Sequence, residues 1–312
     1  MVGARPARRV PRLGRLVLHH RRDLHHRRRR ARRRAGADQV SPPTRVVTRV
    51  PKAKSPFFDL EGRRALVIGA EHPHGAAIAR AYAEAGADVA LAALTADEAV
   101  VRARAVQREV EALGRKGSTY VMDVMLGKNV EVTMRQIAKE MGGLDIVASC
   151  PDLFLAKPMA RTSDTELARV MQANFNSQYF IVRHAAEEFR RQQQPGRIVL
   201  TTSVLGTRGL PNTTAYAAAS GAVVNLVRSA AIEVAPDRIQ VNGIALGWMD
   251  WMQDRLSPED DEAQRAVRFT ALRRQGRADE VGPLAVYLSS ERATRYITGQ
   301  IFPVDGGLLL HL

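Results

Sequence analysis

Residues 197–220 read RIVLTTSVLGTRGLPNTTAYAAAS, and this stretch decides the fold. Arg197-Ile198-Val199-Leu200 opens an apolar run suited to a buried parallel strand, and Ser203 stands at its end. Tyr216 follows thirteen positions later, inside an uncharged stretch from Gly209 to Val227. That stretch also holds Pro211, Asn212, Ser220 and Asn225, so it reads as a buried helix and not as a membrane span. Strand, Ser, loop and helix with Tyr bring a hydroxyl and a phenol to the carboxyl edge of one sheet. Ligands of open α/β sheets bind at that edge.

The same alternation extends in both directions. Ala65-Leu66-Val67-Ile68 is a short apolar strand, followed by the turn Gly69-Ala70-Glu71-His72-Pro73-His74-Gly75 and a small-residue helix ending at Gly86. A glycine turn between strand and helix lets backbone amides face a pyrophosphate. Further strands are expected at Val89–Leu91, up to Asp123-Val124, at Asp145–Ala148 and at Arg238–Ile244. Thr95 with Glu98 predicts a capping box for a helix over 96–113, and Ser163 with Glu166 predicts another for a long helix through Phe189. Asn174 lies within that long helix. A last helix is expected over Asp279–Ser289, before Ile297-Thr298-Gly299-Gln300-Ile301 and Val304-Asp305-Gly306-Gly307. The series predicts an α/β, doubly wound parallel sheet (a Rossmann fold) of about seven strands in a single domain.

Residues 57–307 resemble the short-chain dehydrogenase/reductase family in order, with the Val304–Gly307 ending as a strong signature. The resemblance implies an NAD(P)-dependent oxidoreductase that reduces a carbonyl or oxidises an alcohol on a small substrate. It assigns Ser203 to the substrate oxygen, Tyr216 to the proton and Asn174 to a water-borne relay. It assigns the cofactor to Gly69, His72, Gly75, Asp123, Val124, Ser220 and Gly247, with Asp123 against adenine and Gly247 near the nicotinamide. The alternative for Asp123 is a strand-end cap, and for Asn174 a satisfied helical amide; their places in the series favour the functional roles. No metal is implied.

Four departures fall on the cofactor wall. Pro73 replaces the middle glycine of the turn, and Ser149-Cys150-Pro151-Asp152 replaces Asn-Asn-Ala-Gly. Leu246 stands where related chains have proline, and Ser220 where they have the lysine of Tyr-x-x-x-Lys. That lysine lowers the tyrosine pKa and holds the nicotinamide ribose, whereas Ser220 offers a hydrogen bond without charge. Neutral Tyr216 remains a proton donor, so the expectation is a reductase at neutral pH, with oxidation rising towards pH ~10 as phenolate forms. The competing reading is a dinucleotide-binding or interaction protein whose catalysis has decayed. Neither an acid nor an arginine ends the second strand, so no preference between NAD and NADP is expected. Trp248 and Trp251 open a lid segment over 248–276 and either line the substrate pocket or pack the lid on the core.

The formal charge of +15 is local. Residues 1–54 hold 18 Arg or Lys against Asp23 and Asp38, which leaves 29 bases and 30 acids in the rest. Residues 1–55 therefore read as a basic, disordered tail and linker, and 56–312 as the folded domain. The tail is open to three readings: a wrongly assigned start, a real polyanion-binding tail, or a leader. Nucleic acid is a partner only under the second. Cys150 is the only cysteine, so no intrachain disulfide forms and a reducing, cytoplasmic setting fits. Leu308-Leu309-Leu310 suggests burial in a homodimer or homotetramer interface.

Overall fold

The computed structural model describes residues 57–255 and 268–310. The basic tail, most of the linker and the middle of the expected lid lie outside the described residues. Seven parallel strands form one sheet in the order β3-β2-β1-β4-β5-β6-β7. They are β1 Arg64–Ile68, β2 Asp88–Ala93, β3 Gly117–Val121, β4 Ile146–Ser149, β5 Gly196–Ser203, β6 Ile239–Leu246 and β7 Ile301–Val304.

The strands alternate their side chains between two apolar layers, as a period of two requires. Ala65, Val67, Val89 and Leu91 point into one core, with Ile78 and Tyr82 of α1 (Pro73–Glu84), Val106 of α2 (Glu98–Ala112) and Leu288. Leu66, Ile68, Ala90 and Ala92 point into the other, with Met134 and Ile137 of α3 (Gly127–Glu140). Burial on both faces explains why β1 and β4 read as unbroken apolar runs.

Strand order reverses between β1 and β4, so a crevice opens at their carboxyl ends. Register then sets the height of each functional residue. Ser149, the last of β4, pairs with Leu200, and β5 runs three residues further to pair Ser203 with Leu246. Gly69, Asp152, Ser203 and Gly247 thus follow or end four neighbouring strands on one edge.

Several element boundaries differ from the sequence reading for local reasons. Asp97, not Thr95, caps α2: its carboxylate accepts from Ala99 N at 2.9 Å and from the Thr95 hydroxyl at 2.7 Å. A carboxylate placed next to the first helical amides outcompetes a hydroxyl two residues earlier. The Ser163–Glu166 capping box forms as expected and opens α4 (Asp164–Met171). The long helix is interrupted by a π-helical turn, Gln172–Asn176, before α5 (Ser177–Gln192). The last helix also divides, into a 3-10 turn Ala278–Glu280 and α7 (Gly282–Ser289), with α8 (Glu291–Thr294) after it.

α6 (Thr214–Val234) carries Tyr216, and is long and apolar enough to cross a membrane by composition alone. Its Val223, Val227, Ala231 and Val234 instead pack into the second core. These residues recur at helical spacing, so the apolar stripe faces the sheet.

Candidate active site

Three elements converge on Tyr216. β5 delivers Ser203, which caps a 3-10 turn, Val204–Gly206, by accepting from Leu205 N at 3.1 Å. That turn crosses α6 so closely that a Cβ on Gly206 would lie 2.8 Å from the Ser220 carbonyl carbon and oxygen. The Thr202 hydroxyl also donates to Ser220 O, at 3.2 Å. The end of β5 is therefore tied to α6 one turn beyond Tyr216, which fixes the serine–tyrosine pair.

The third element is the loop after β4. Tyr216 donates its phenolic hydrogen to Asp152 Oδ1 at 2.9 Å, and Phe154 packs edge-on against its ring with centroids 5.0 Å apart. Asn174, in the π-helical turn, holds this loop. Its Oδ1 accepts from Leu153 N, and its amide donates to Leu153 O and Val170 O, all at 2.9–3.0 Å. An extra residue in a helix turn swings a side chain away from its regular position, and π-turns recur at functional sites for this reason. Asn174 is thus a clamp on the loop that carries Asp152.

Ser203 and Tyr216 face a pocket of about 250 Å³. Its walls include Phe154, Leu210, Trp248, Met252, Phe269 and Leu308, and Gly247 reaches its rim. Arg208 is the one charged residue among the described residues lining it. Its guanidinium donates to Leu308 O at 2.5 Å. The two tryptophans divide the roles left open by the sequence. Trp248 lines the pocket, while Trp251 stacks on the buried His74 ring at 5.6 Å.

Behind Tyr216 lies a smaller cavity of about 20 Å³, lined by His74, Asp152, Asn174, Tyr216 and Ser220 among others. Among the described residues there, no lysine or arginine is present. Ser220 donates its hydroxyl to Tyr216 O at 2.8 Å, so its hydrogen stays within the helix. Lys157, on the same loop as Asp152, is committed to Glu166 at 2.7 Å and 2.8 Å. Lys157 and the Ser163 cap hold the Glu166 carboxyl down at about 2.

A groove of about 710 Å³ runs from the β1 turn past the ends of β2 and β3 to Asp152. Gly69 and Gly75 sit in the β1 turn at its near end, where backbone packs on backbone. A Cβ on Gly75 would lie 2.2 Å from Gly69 O. Gly69 has φ +79°, and a Cβ there would lie 2.8 Å from Cys150 O. Pro73 is the first residue of α1, where its missing N–H costs no helical bond but removes one amide from the turn. His72, Asp123 and Val124 line the groove. Asp123 Oδ1 also accepts from Met125 N at 2.9 Å, so it serves as a strand-end cap as well.

The sequence offers Glu71 only as an acid beside His72 that would oppose a 2′-phosphate, and not as a cofactor ligand. Glu71 is buried, and its Oε1 accepts from Leu94 N at 3.0 Å, at the end of β2. Its Oε2 is buried and has no hydrogen-bond partner among the described residues. The carboxylate absent from the end of β2 in sequence is therefore supplied in space by the β1 turn. Cys150 is fully buried, and burial pushes its thiol up, away from the thiolate a nucleophile needs.

A family model described as enoyl-(acyl carrier protein) reductase matches residues 69–309. A short-chain dehydrogenase/reductase of Armillaria gallica is 34% identical over 80% of this chain and 97% of its own. A 2-dehydro-3-deoxy-D-gluconate 5-dehydrogenase of Pseudoalteromonas atlantica is 33% identical over 80% of this chain and 97% of its own. The crystal structure of a short-chain type dehydrogenase/reductase from Mycobacterium marinum superposes with a TM-score of 0.74. It is 31% identical and is matched over 81% of this chain and 97% of that one. The chain belongs to the short-chain dehydrogenase/reductase family, and is an oxidoreductase of that NAD(P)-dependent type.

The residues present fit a dinucleotide. The glycine turn packs the start of α1 close against the end of β1, and Glu71, whose second carboxylate oxygen has no hydrogen-bond partner among the described residues, lines the groove beside it. Gly69, Gly75, Glu71, Asp123 and Val124 would hold the adenosine half, and Ser220 and Gly247 flank the other end.

Proposed function

We propose that this chain interconverts an alcohol and a carbonyl on a small, largely apolar substrate that carries an acidic group. The observation that carries the reading is Ser203 and Tyr216 together on one wall of the apolar pocket, with Arg208 as its single described charge. The bound nicotinamide supplies or accepts the hydride. Ser203 retains a hydroxyl hydrogen to donate to the substrate oxygen, because its bond with Leu205 N is one it accepts. Tyr216 exchanges a proton with that oxygen as charge develops on it. Trp248, Phe154 and Met252 exclude water around the reacting carbon. Arg208 pairs with a carboxylate or phosphate on the substrate, since a half-buried guanidinium in apolar walls favours an anion.

Asn174 acts as a positioning residue for the loop of Asp152, with a lone pair of its Oδ1 left for the relay water. The single buried cysteine fits a reducing, cytoplasmic setting. A homodimer or homotetramer would cover the exposed Leu310.

The test is turnover of aliphatic and aryl oxo acids and hydroxy acids, followed by nicotinamide absorbance with each cofactor. Turnover should fall at least about a hundredfold in Tyr216→Phe. Arg208→Ala should raise KM for the acids and leave uncharged analogues unaffected. Binding of dinucleotide without turnover of any substrate would return the chain to the alternative, a binding protein with decayed catalysis.

A further inference from the structure

We propose that Asp152 is the group through which Tyr216 exchanges its proton, a positioning residue that makes the tyrosine a proton acceptor for alcohol oxidation at neutral pH. The role rests on the oxidoreductase reading above. It follows from a contact between residues 64 positions apart in sequence, the 2.9 Å bond from the Tyr216 hydroxyl to Asp152 Oδ1.

Two observations separate this contact from a merely structural one. The loop is already fixed without it, because Asn174 bonds both the N–H and the C=O of Leu153. Asp152 also borders both the small cavity behind Tyr216 and the open groove, so it joins the phenol to solvent. The titratable and charged groups lining the spaces around the pair are His74 from α1, Glu71, His72, Asp97, Arg102, Asp123 and Arg169 along the groove, and Arg208 on the pocket side, with Cys150 on the same loop as Asp152. No lysine is among the described residues lining these three spaces.

In oxidation the carbinol C–H bond breaks, and its electron pair leaves as hydride to the oxidised nicotinamide dinucleotide. The alcohol O–H proton passes to the Tyr216 oxygen, and the phenolic proton passes to Asp152 Oδ1. The products are the carbonyl compound, the reduced dinucleotide, a neutral Tyr216 and a protonated Asp152, which releases its proton to water in the groove. Oxidation therefore starts from the carboxylate, the form that aspartate holds at neutral pH, and needs no preformed phenolate. Reduction by the reverse path starts from the acid form, which is scarce there. The proposal differs from the expectation drawn from Ser220 alone, a reductase whose oxidation rises only as phenolate forms.

The test has two readouts. The first is the near-ultraviolet phenolate absorbance of Tyr216 in the chain without cofactor, isolated as the difference between each variant and its Tyr216→Phe counterpart. A neighbouring carboxylate disfavours phenolate, so Asp152→Asn should move the Tyr216 titration down by about one pH unit or more, while Asp152→Glu should move it little. The second is oxidation rate against pH. The parent should be flat between about pH 6 and 8, Asp152→Asn should lose about a hundredfold at neutral pH and recover as phenolate forms, and Asp152→Glu should retain most activity. A titration that does not move in Asp152→Asn, or oxidation at neutral pH that survives it, overturns the proposal. A shifted titration in a chain that turns over no alcohol supports the proton pair and removes the oxidoreductase reading, so the two failures are distinct.

Discussion

Glu71 is the residue at which sequence and space part most clearly. In sequence it is one acid in a turn, beside His72, and it opposes a phosphate only by proximity. In the fold its carboxylate is buried at the end of β2, with one oxygen on Leu94 N and the other without a hydrogen-bond partner among the described residues. An unpaired buried acceptor is costly, and a ribose hydroxyl pair would satisfy it, whereas a 2′-phosphate would repel it. NAD should therefore bind more tightly than NADP by tenfold or more, about 1.4 kcal/mol, and Glu71→Gln should narrow the gap. Quenching of Trp248 and Trp251 fluorescence by each cofactor measures this directly. Equal affinities in the parent would show that His72 or Arg102, which also line the groove, offset Glu71.

The serine and tyrosine were legible because each follows a strand or sits on a helix whose pattern is local. Asp152 was visible only as a departure from the family's glycine. Its partner lies 64 residues away, and no periodicity reports a contact of that range.

At the scale of elements, the site depends on how β5, the short turn after it and α6 are locked together. Gly206 is the contact point, since any Cβ there meets the backbone of Ser220. Gly206→Ala must push the turn off the helix and should cost about 1–3 kcal/mol of stability. It should also lower turnover more than cofactor affinity, because Ser203 moves and the groove does not. A melting temperature and kcat equal to the parent's would mean that the turn is free to slide, contrary to this packing.

Strands were readable as apolar runs, and the Ser163–Glu166 box as a spacing. The Thr95–Glu98 box failed because Asp97 offers a better acceptor nearer the helix, a competition that spacing does not weigh. The π-turn was not legible either. Gln172–Asn176 continues the helical pattern, and only the pull of Leu153 on Asn174 marks the extra residue.

At the scale of the molecule, the chain separates charge from chemistry. The basic residues concentrate in the first 54 positions, while the part that forms the sheet is close to neutral. A neutral body with an apolar pocket fits a small-molecule enzyme, and the one described guanidinium in that pocket sets the expected charge of the substrate. The doubly wound order was predictable from alternation because parallel strands buried on both faces leave the plainest sequence trace. The pocket was less so, since Phe154, Met252, Phe269 and Leu308 come from four separated segments.

On this reading, a bound nicotinamide would exchange hydride directly with a carbon in the pocket, with Tyr216 handling the proton. Dinucleotide deuterated at its transferable position, mixed with the oxo acids and followed by mass spectrometry of the product alcohol, tests this most directly. The parent should place one deuterium on the carbinol carbon, and Tyr216→Phe should cut the labelled product at least about a hundredfold. Labelled product formed at an unchanged rate by Tyr216→Phe, or none from the parent with either cofactor, would contradict it.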